Sequence, residues 1–200
     1  MVFVLDDKML ARVVNGVVWP VSGSYTVDPV HTFVTFRTQH LVVGHVRGRF
    51  GGVSGTIEVG NNPDELDISA MVDPASVTTL QDQRDEDLRS ARFLDVIAFP
   101  IITYRSTVTK LMPQGRWLID GDLTVRATTR NVSLEVTTGG VVLDSHGHAR
   151  VAFHACANLT RRDFGLMADL EAETGGAEVI ADVSIEIDVE ATKPIKTELT

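Results

Sequence analysis

Hydrophobic and polar residues alternate one by one along much of this chain. The pattern is clearest near the C-terminus, where apolar residues take every odd position from Val183 to Val189 and polar residues take every even position from Ser184 to Glu190. Such alternation is typical of a β-strand with one buried face. The same period of two recurs in four further segments: 66–72, 104–108, 117–125 and 132–136. The pattern therefore predicts that most of the chain is half-buried strand.

Turn-forming residues separate these segments. Gly, Pro and Asn are concentrated at 60–65, 112–116, 137–140 and 173–178. Short turns between strands are typical of β-hairpins, and hairpins build antiparallel sheets. An antiparallel sheet of several strands hides its unpaired edges most simply by closing into a barrel or folding into a sandwich. The predicted fold class is therefore all-β.

One segment, from Leu80 to Pro100, departs from the alternation. It carries acidic residues in its first half and arginines in its second, as the helix dipole favours, with Asp85 four residues before Arg89. We predict a short helix at about 82–90 whose carboxylates lie in solvent. Four apolar residues of this segment are expected to plug one end of a barrel or to line its mouth: Leu88, Phe93, Leu94 and Phe99.

The length and the charge of the chain limit the classes of protein to which it can belong. Two hundred residues fit one domain. A net charge of −9 disfavours binding to nucleic-acid backbones and to anionic membrane surfaces. No segment has the roughly 18 uninterrupted apolar residues of a membrane-spanning helix, and the N-terminus lacks the pattern of a signal peptide. We therefore predict a cytoplasmic protein that binds no nucleic acid.

Three of the six histidines, His31, His40 and His45, lie within fifteen residues. Their separations of nine and five residues match neither one face of a strand nor one turn of a helix, as a shared metal ion would require. We predict that they lie at strand ends and that the chain has no metal site and no catalytic residue. A small-molecule enzyme that uses these histidines, with or without a metal, is the alternative class of function.

The single cysteine, Cys156, excludes an internal disulfide and a thiolate-only zinc site. It lies between Ala155 and Ala157, and we predict that it is a small buried residue. His154 follows Phe153 in the alternation and is predicted to point away from the core. The sequence contains no G-x-S-x-G, H-E-x-x-H or S-x-x-K motif, so nucleophilic catalysis has little support.

Four glycines, at positions 48, 51, 52 and 55, precede the strand-like sequence "TIEV". A phosphate-binding loop would lead into a helix, whose N-terminus binds the anion. Glycines that lead into a strand more often mark a bulge or a sharp bend. We predict a corner of the sheet at this point.

Six stretches resemble, in this order, the YceI-like family of polyisoprenoid-binding proteins: "YTVDPVHTFVTF", "HLVVGHVRGRFGGVSGTI", "RDEDLRSARFLDVIAFPIITYRST", "GDLTVRATTRNVSLEV", "NLTRRDFGL" and "VSIEIDVEA". They extend from about Tyr25 to Ala191. The resemblance implies a lipocalin-like antiparallel β-barrel, in which an apolar cavity holds an isoprenoid chain and no catalytic machinery is present. A barrel of about eight strands leaves room for side chains or for one ligand.

The resemblance also implies which side chains of the first stretch point into the barrel. Val34, Phe36 and Thr38 are expected to point inward, and the intervening residues Phe33, Thr35 and Arg37 outward. The chain departs from the family after "RRDFGL", where it reads "MADLEAE". The mouth of the cavity near Met167 is therefore expected to differ in shape.

We therefore predict three parts: an N-terminal extension (1–23) that adds an edge strand, a lipid-binding barrel of about eight strands (24–192) and a C-terminal tail (193–200). The predicted ligand is a polyisoprenoid or a similar amphiphile, such as a quinone-like or prenyl-phosphate lipid, and an exposed sheet edge favours a homodimer. Alternation and bulk select these wall residues: Val34, Phe36, Phe50, Ile57, Ile68, Phe93, Phe99, Tyr104, Trp117, Leu134, Phe153, Phe164 and Ile185. The candidates for a polar head group are Arg47, Arg49, Arg84 and Arg161. A partner-binding module with a filled core is a third alternative.

Overall fold

The computed structural model describes residues 10–14, 16–40, 44–166 and 182–195. The strands of these residues are β1 (Ala11–Val14), β2 (Val17–Pro20), β3 (Gly23–Val27), β4 (Phe33–His40), β5 (Gly44–Phe50), β6 (Val53–Val59), β7 (Leu66–Val72), β8 (Val77–Thr78), β9 (Ile102–Met112), β10 (Arg116–Val125), β11 (Thr128–Leu143), β12 (His148–Thr160) and β13 (Asp182–Pro194). One α-helix, α1 (Asp82–Arg89), and short 3-10 turns complete this part of the chain. None of its helices is long and apolar enough to cross a membrane. Met167 and the turn predicted at 173–178 lie outside the described residues.

Eight antiparallel strands close into a barrel. Their order around the wall is β12, β11, β10, β9, β7, β6, β3 and β13, and β13 pairs again with β12. The closing pair is long, because its register runs from His148 opposite Pro194 to Thr160 opposite Asp182. This architecture confirms the predicted antiparallel lipocalin-like barrel. The helix predicted at about 82–90 is α1.

Strand β13 is shared by two neighbours. Near its C-terminal end, Ala191 and Thr192 pair with β3, whereas residues 183–188 pair with β4. Strands β5 and β8 continue the sheet beyond β4. Gly51 and Gly52 lie where the chain passes from β5, which pairs with β4, to β6, which pairs with β3. A Cβ atom on Gly52 would lie 2.8 Å from the Cβ of Asp73. The glycines thus occupy the corner that the sequence predicted.

The alternation correctly predicts the buried face of most strands, but β9 contains an exception. Ser106 pairs with Gly121 and Val108 pairs with Asp120, so Thr107 is an extra residue between two successive pairs. An extra residue of this kind is a β-bulge, which reverses the facing of the residues beyond it. Val108 is therefore 45% exposed, although the sequence placed it on the same face as Tyr104.

The N-terminal extension does not add an edge strand to the barrel, which corrects the prediction. Strands β1 and β2 instead form a separate two-stranded sheet. This hairpin carries Trp19, which is fully buried and stacks on Trp117 with 4.5 Å between the ring centroids. The Trp19 ring also meets Phe153 edge to face, with 6.4 Å between the centroids. The hairpin thus packs against one end of the barrel through a buried aromatic side chain.

Candidate ligand cavity

The barrel encloses a cavity with a volume of about 290 Å³. Its walls are apolar. Among the described residues that line it, only Thr32, Thr38, Tyr104 and Arg161 carry polar side-chain atoms. A pocket with an apolar lining and few polar groups is typical of sites for small apolar or amphiphilic ligands.

Eleven of the thirteen residues predicted as walls line this cavity. They come from eight strands, from the segment after α1 and from the turn after β12, and they are Val34, Phe36, Phe50, Ile57, Ile68, Phe93, Tyr104, Leu134, Phe153, Phe164 and Ile185. Val34, Phe36 and Thr38 all line the cavity, so the side chains of β4 that were expected to point inward do so. The structure therefore brings most of the predicted set around one space.

Trp117 and Phe99 do not line the cavity, which corrects the predicted wall. Trp117 is buried at the end of the barrel, where it stacks on Trp19 and its indole Nε1 donates a hydrogen bond to the carbonyl of Pro63 at 3.0 Å. Phe99 is half-buried, and the guanidinium carbon of Arg126 lies 5.5 Å from the centre of its ring. Alternation identifies the inward face of a strand, but it does not show whether a residue lies beside the cavity or beyond its end.

Tyr104 presents its ring to the cavity while its hydroxyl is bound within the wall. The hydroxyl donates to the carbonyl of Ile119 at 3.0 Å. Burial, followed by the charges of Asp120 and Asp122, raises the pKa of this phenol well above its ordinary value. The ring lies against Gly121, where an added Cβ would collide with it. Tyr104 thus contributes apolar surface, and its hydroxyl remains protonated.

The sequence prediction missed several lining residues of β12, two of which are alanines. Strand β12 contributes Ala155, Ala157 and Leu159 in addition to the predicted Phe153. The sequence signal is the same period of two, from Val151 to Leu159, but bulk was used to select the candidates. Small side chains leave space between the walls of a barrel, so the alanines of an alternating strand are informative about a cavity.

One of the four head-group candidates lines the cavity. Arg161 begins a short 3-10 turn, Arg161–Phe164, directly after β12. Arg47 and Arg49 are instead exposed and are not among the lining residues, and Arg49 lies over the ring of Phe33 at 5.4 Å from its centre. Arg84 also lies outside the lining, and its Nε donates to the hydroxyl of Thr79 at 2.8 Å. These positions correct the predicted set of head-group residues. Side chains alternate between the two faces of a strand, and on β5 this alternation points Arg47 and Arg49 away from the interior.

Helix α1 closes part of the cavity wall and is held there by a buried carboxylate. Asp85 is 4% exposed, which corrects the expectation that the carboxylates of the helix all lie in solvent. It accepts hydrogen bonds from the backbone N–H of Thr79 at 2.7 Å and from the hydroxyl of Thr78 at 2.9 Å. Burial alone would raise the pKa of Asp85, but the hydrogen bonds from Thr79 and Thr78 and the charge of Arg89 hold it below its ordinary value.

The anchoring of α1 places apolar side chains over the interior. Arg89 donates to the carbonyl of Val77 at 2.6 Å and to that of Ala75 at 2.9 Å. Leu88, Phe93 and Leu94 then line the cavity. The predicted role of this segment at the wall of the barrel is therefore observed for these three residues.

The substitution Asp85→Asn is expected to lower the free energy of unfolding by about 1.5–3 kcal/mol at pH 7, because hydrogen bonds to a charged acceptor are lost and an amide N–H₂ group faces donors. The pKa of Asp85 is depressed in the folded state, so its contribution is present above the unfolded pKa of about 3.9 and disappears as the pH falls through the folded value. Urea denaturation at pH 7 and at stepwise lower pH measures both effects.

Asp87→Asn is the matched control for this substitution, because Asp87 is exposed on the same helix. We expect it to change the stability by no more than about 0.5 kcal/mol. An equal loss in both variants would contradict the anchoring role of Asp85.

The three histidines of the alternative function lie at different places on the barrel. His31 is exposed in the turn before β4 and bonds to Asp28 through Nδ1 at 2.9 Å. His40 ends β4 and His45 lies near the start of β5, where its Nε2 is 2.8 Å from a guanidinium nitrogen of Arg37. Strand β4 separates His31 from His40 by more than about 20 Å at about 3.3 Å per residue. The backbone therefore prevents the three from meeting at one site, and His31 and His45 are not among the described residues that line the cavity.

Asp28, His31 and Glu190 form a group with the composition of a metal site. Arg150 already lies between the two carboxylates, at 2.7 Å from Asp28 and 2.6 Å from Glu190. The hydrogen bond from Arg150 and a weaker one from His31 hold the pKa of Asp28 well below its ordinary value, although burial opposes them. The guanidinium thus supplies the positive charge that a cation would supply, and we assign this group to the stability of the β12–β13–β3 junction.

A closed antiparallel β-barrel with an apolar interior defines the lipocalin-like class of barrel. The model of one family, described as the YceI-like domain, matches residues 25–191. The protein named YceI from Salmonella newport is 35% identical over 167 residues, which cover 82% of this chain and 86% of that protein. The YceI protein of Salmonella arizonae matches to the same extent. The chain therefore belongs to the YceI family.

Solved structures share the fold at lower sequence identity. BcnA of Burkholderia cenocepacia has a TM-score of 0.70 at 15% identity over 82% of this chain and 98% of that one. The YceI protein of Campylobacter jejuni has a TM-score of 0.66 at 23% identity over 78% and 89%. A domain from Saccharophagus degradans, described as polyisoprenoid-binding, has a TM-score of 0.61 at 16% identity over 85% and 98%. These similarities establish the barrel and leave the ligand to be argued from the cavity.

Proposed function

We propose that this protein binds a polyisoprenoid or a similar long-chain amphiphilic lipid inside its barrel and carries it without catalysing a reaction. The observation that carries the proposal is the apolar lining of the cavity, in which only four of the described residues have polar side-chain atoms. Membership of the YceI family and the likeness to a domain described as polyisoprenoid-binding support it. The positions of His31 and His45 on the outside do not favour the enzyme alternative.

The size and lining of the cavity favour a slender apolar chain. A volume of about 290 Å³ lies near the lower end of the range of about 300–1,000 Å³ for ligand pockets. Each apolar Å² removed from water contributes about 25 cal/mol before the costs of association. The affinity for the lipid then rises with the length of lipid chain that the cavity encloses.

Among the described residues of this lining, Arg161 is the one with a charged side chain, and we propose that it contacts the polar head of the lipid. It lies at the end of β12, next to the inward-facing Phe164 and Leu166. A guanidinium binds phosphate and carboxylate oxygens through paired, charge-assisted hydrogen bonds. This position favours an amphiphile with an acidic head over a wholly apolar one.

Organic extraction of the purified protein followed by mass spectrometry tests the proposal. We expect a long-chain lipid in a fixed ratio to protein, and we expect Arg161→Gln to shift the bound lipids away from those with acidic heads. Absence of lipid from protein made in several expression hosts, together with failure to displace or take up a fluorescent lipid analogue, would reject lipid binding and favour the filled-core alternative. A turnover product whose formation requires His31 or His45 would favour the enzyme. The cytoplasmic location and the homodimer stay predictions.

A further inference from the structure

The cavity ends at Phe153 on strand β12. Every second residue from Phe153 to Leu159 lines it, and Arg161 lines it just beyond the end of the strand. The intervening residues face outward, so Cys156, which was predicted to be buried, is half-buried on the outer side of the wall. Val151 continues the inward series and is fully buried, but it is not among the described residues that line the cavity. Along β12 the space therefore extends from Arg161 to Phe153 and stops there.

The part of the barrel beyond Phe153, on the side away from Arg161, is filled with side chains. Four residues of three other strands are almost completely buried there without being among the described residues that line the cavity: Tyr25, Trp117, Ile119 and Ala191. Packed protein interiors leave few voids larger than a water molecule. The interior thus has two parts, a cavity towards Arg161 and a packed layer beyond Phe153.

Trp19 of the N-terminal hairpin belongs to this packed layer and supports the ring of Phe153. The two rings meet edge to face with 6.4 Å between their centroids, and Trp19 is itself stacked on Trp117 at 4.5 Å. Trp19 lies outside residues 25–191, the part of the chain that the YceI-like model matches. We call Phe153 and Trp19 the aromatic floor of the cavity.

We infer that this aromatic floor sets the longest apolar chain that the cavity encloses. The inference rests on the proposed function, in which Arg161 contacts the polar head of the lipid. From Phe153 to Arg161 the backbone advances about 26 Å, at about 3.3 Å per residue. With a strand tilt of about 35–45°, this corresponds to about 20 Å along the barrel axis. A longer chain cannot pass the floor, so its additional carbons stay outside the cavity in water.

The floor makes the affinity for a lipid depend on chain length in two stages. Each methylene group that enters the cavity is expected to raise the affinity about fourfold, because its apolar surface leaves water. Once the end of the chain contacts Phe153, further methylene groups add nothing. The logarithm of the affinity should therefore rise with chain length and then level off at a break, whose position reports the distance to the floor.

Displacement of a fluorescent lipid analogue from the delipidated full-length protein locates this break. The competitors are straight-chain fatty acids of increasing length, each used below the concentration at which it forms micelles. Phe153→Leu is expected to move the break to longer chains by one or more methylene groups, and Phe153→Trp to shorter chains, because the first removes ring volume at the floor and the second adds it. Trp19→Phe combined with Phe153→Leu is expected to move the break beyond that of Phe153→Leu alone.

Phe33→Leu is the matched control, because Phe33 is half-buried on β4 and is not among the described residues that line the cavity. We expect the break of this variant to stay at the native position. Circular dichroism checks that each variant is folded.

The outcomes separate the floor from lipid binding itself. A break that stays in place in both single variants of Phe153 would overturn the inference and leave lipid binding intact. A double variant whose break equals that of Phe153→Leu would contradict the role of Trp19. A native protein that takes up neither the analogue nor any of the acids would reject the proposed function and the floor together.

Discussion

Replacing Trp117 by alanine is expected to lower the free energy of unfolding by about 3–5 kcal/mol, as for other buried aromatic residues. The side chain is 1% exposed, its ring stacks on Trp19, and its indole N–H is bound to Pro63. The substitution would remove the stacking contact between Trp117 and Trp19 of the N-terminal hairpin and leave the Pro63 carbonyl without its indole donor. Urea denaturation at neutral pH measures the loss.

Val108→Ala is the control for this experiment, since Val108 is an exposed apolar residue on the neighbouring strand β9. We expect a change within about 0.5 kcal/mol. Trp117→Phe, which keeps an aromatic ring but loses the N–H group, should fall between the two. A loss below about 1 kcal/mol in Trp117→Ala would show that the aromatic contacts do not secure this end of the barrel.

Ala70→Phe is expected to reduce the amount of co-purified lipid at least about 10-fold, because the new ring would fill space that the ligand needs. Ala70 lines the cavity on β7. Its two neighbours across the sheet are Gly55, which has no side chain, and Tyr104, whose ring also lines the cavity. Overpacking costs about 1–3 kcal/mol of stability, so the variant is expected to stay folded if the native protein has ordinary stability.

Met71→Phe is the matched control, because Met71 is the next residue on β7, is 46% exposed and does not line the cavity. It introduces the same ring on the outside of the wall, and we expect the lipid content to stay at the native level. Equal lipid in the two variants would contradict binding within the cavity. Extraction and mass spectrometry of equal amounts of folded protein provide the comparison.

The period of two predicted the sheet because it is a local property, set by which face of each strand is buried. It was reliable on β13, where apolar and polar residues alternate through Val189. It was wrong at Val108, because the bulge at Thr107 depends on how two strands pair across a turn. The separate sheet formed by β1 and β2 was also unpredictable from alternation, since it depends on the packing of Trp19 against a residue 98 positions away.

The candidate sites show the same limit. Alternation placed Phe36 inside, and the same reasoning could have placed Arg47 outside, because both lie in regular strands. Cys156 was misjudged because its neighbours in sequence are small and apolar, whereas its neighbours in space are Glu135 and Glu186. Strand register, which brings residues about 20–30 positions apart side by side, is fixed by the whole barrel.

The apolar cavity has a thermodynamic consequence for the protein that contains it. The space exists only while the barrel is closed, so a lipid that fills it binds the folded state and gains nothing comparable from the unfolded chain. At a free ligand concentration 100 times the dissociation constant, such linkage adds about 2.7 kcal/mol to the free energy of unfolding. The lipid-bound protein should therefore melt at a higher temperature than the empty protein. The melting temperature would then report how much of the protein carries a lipid.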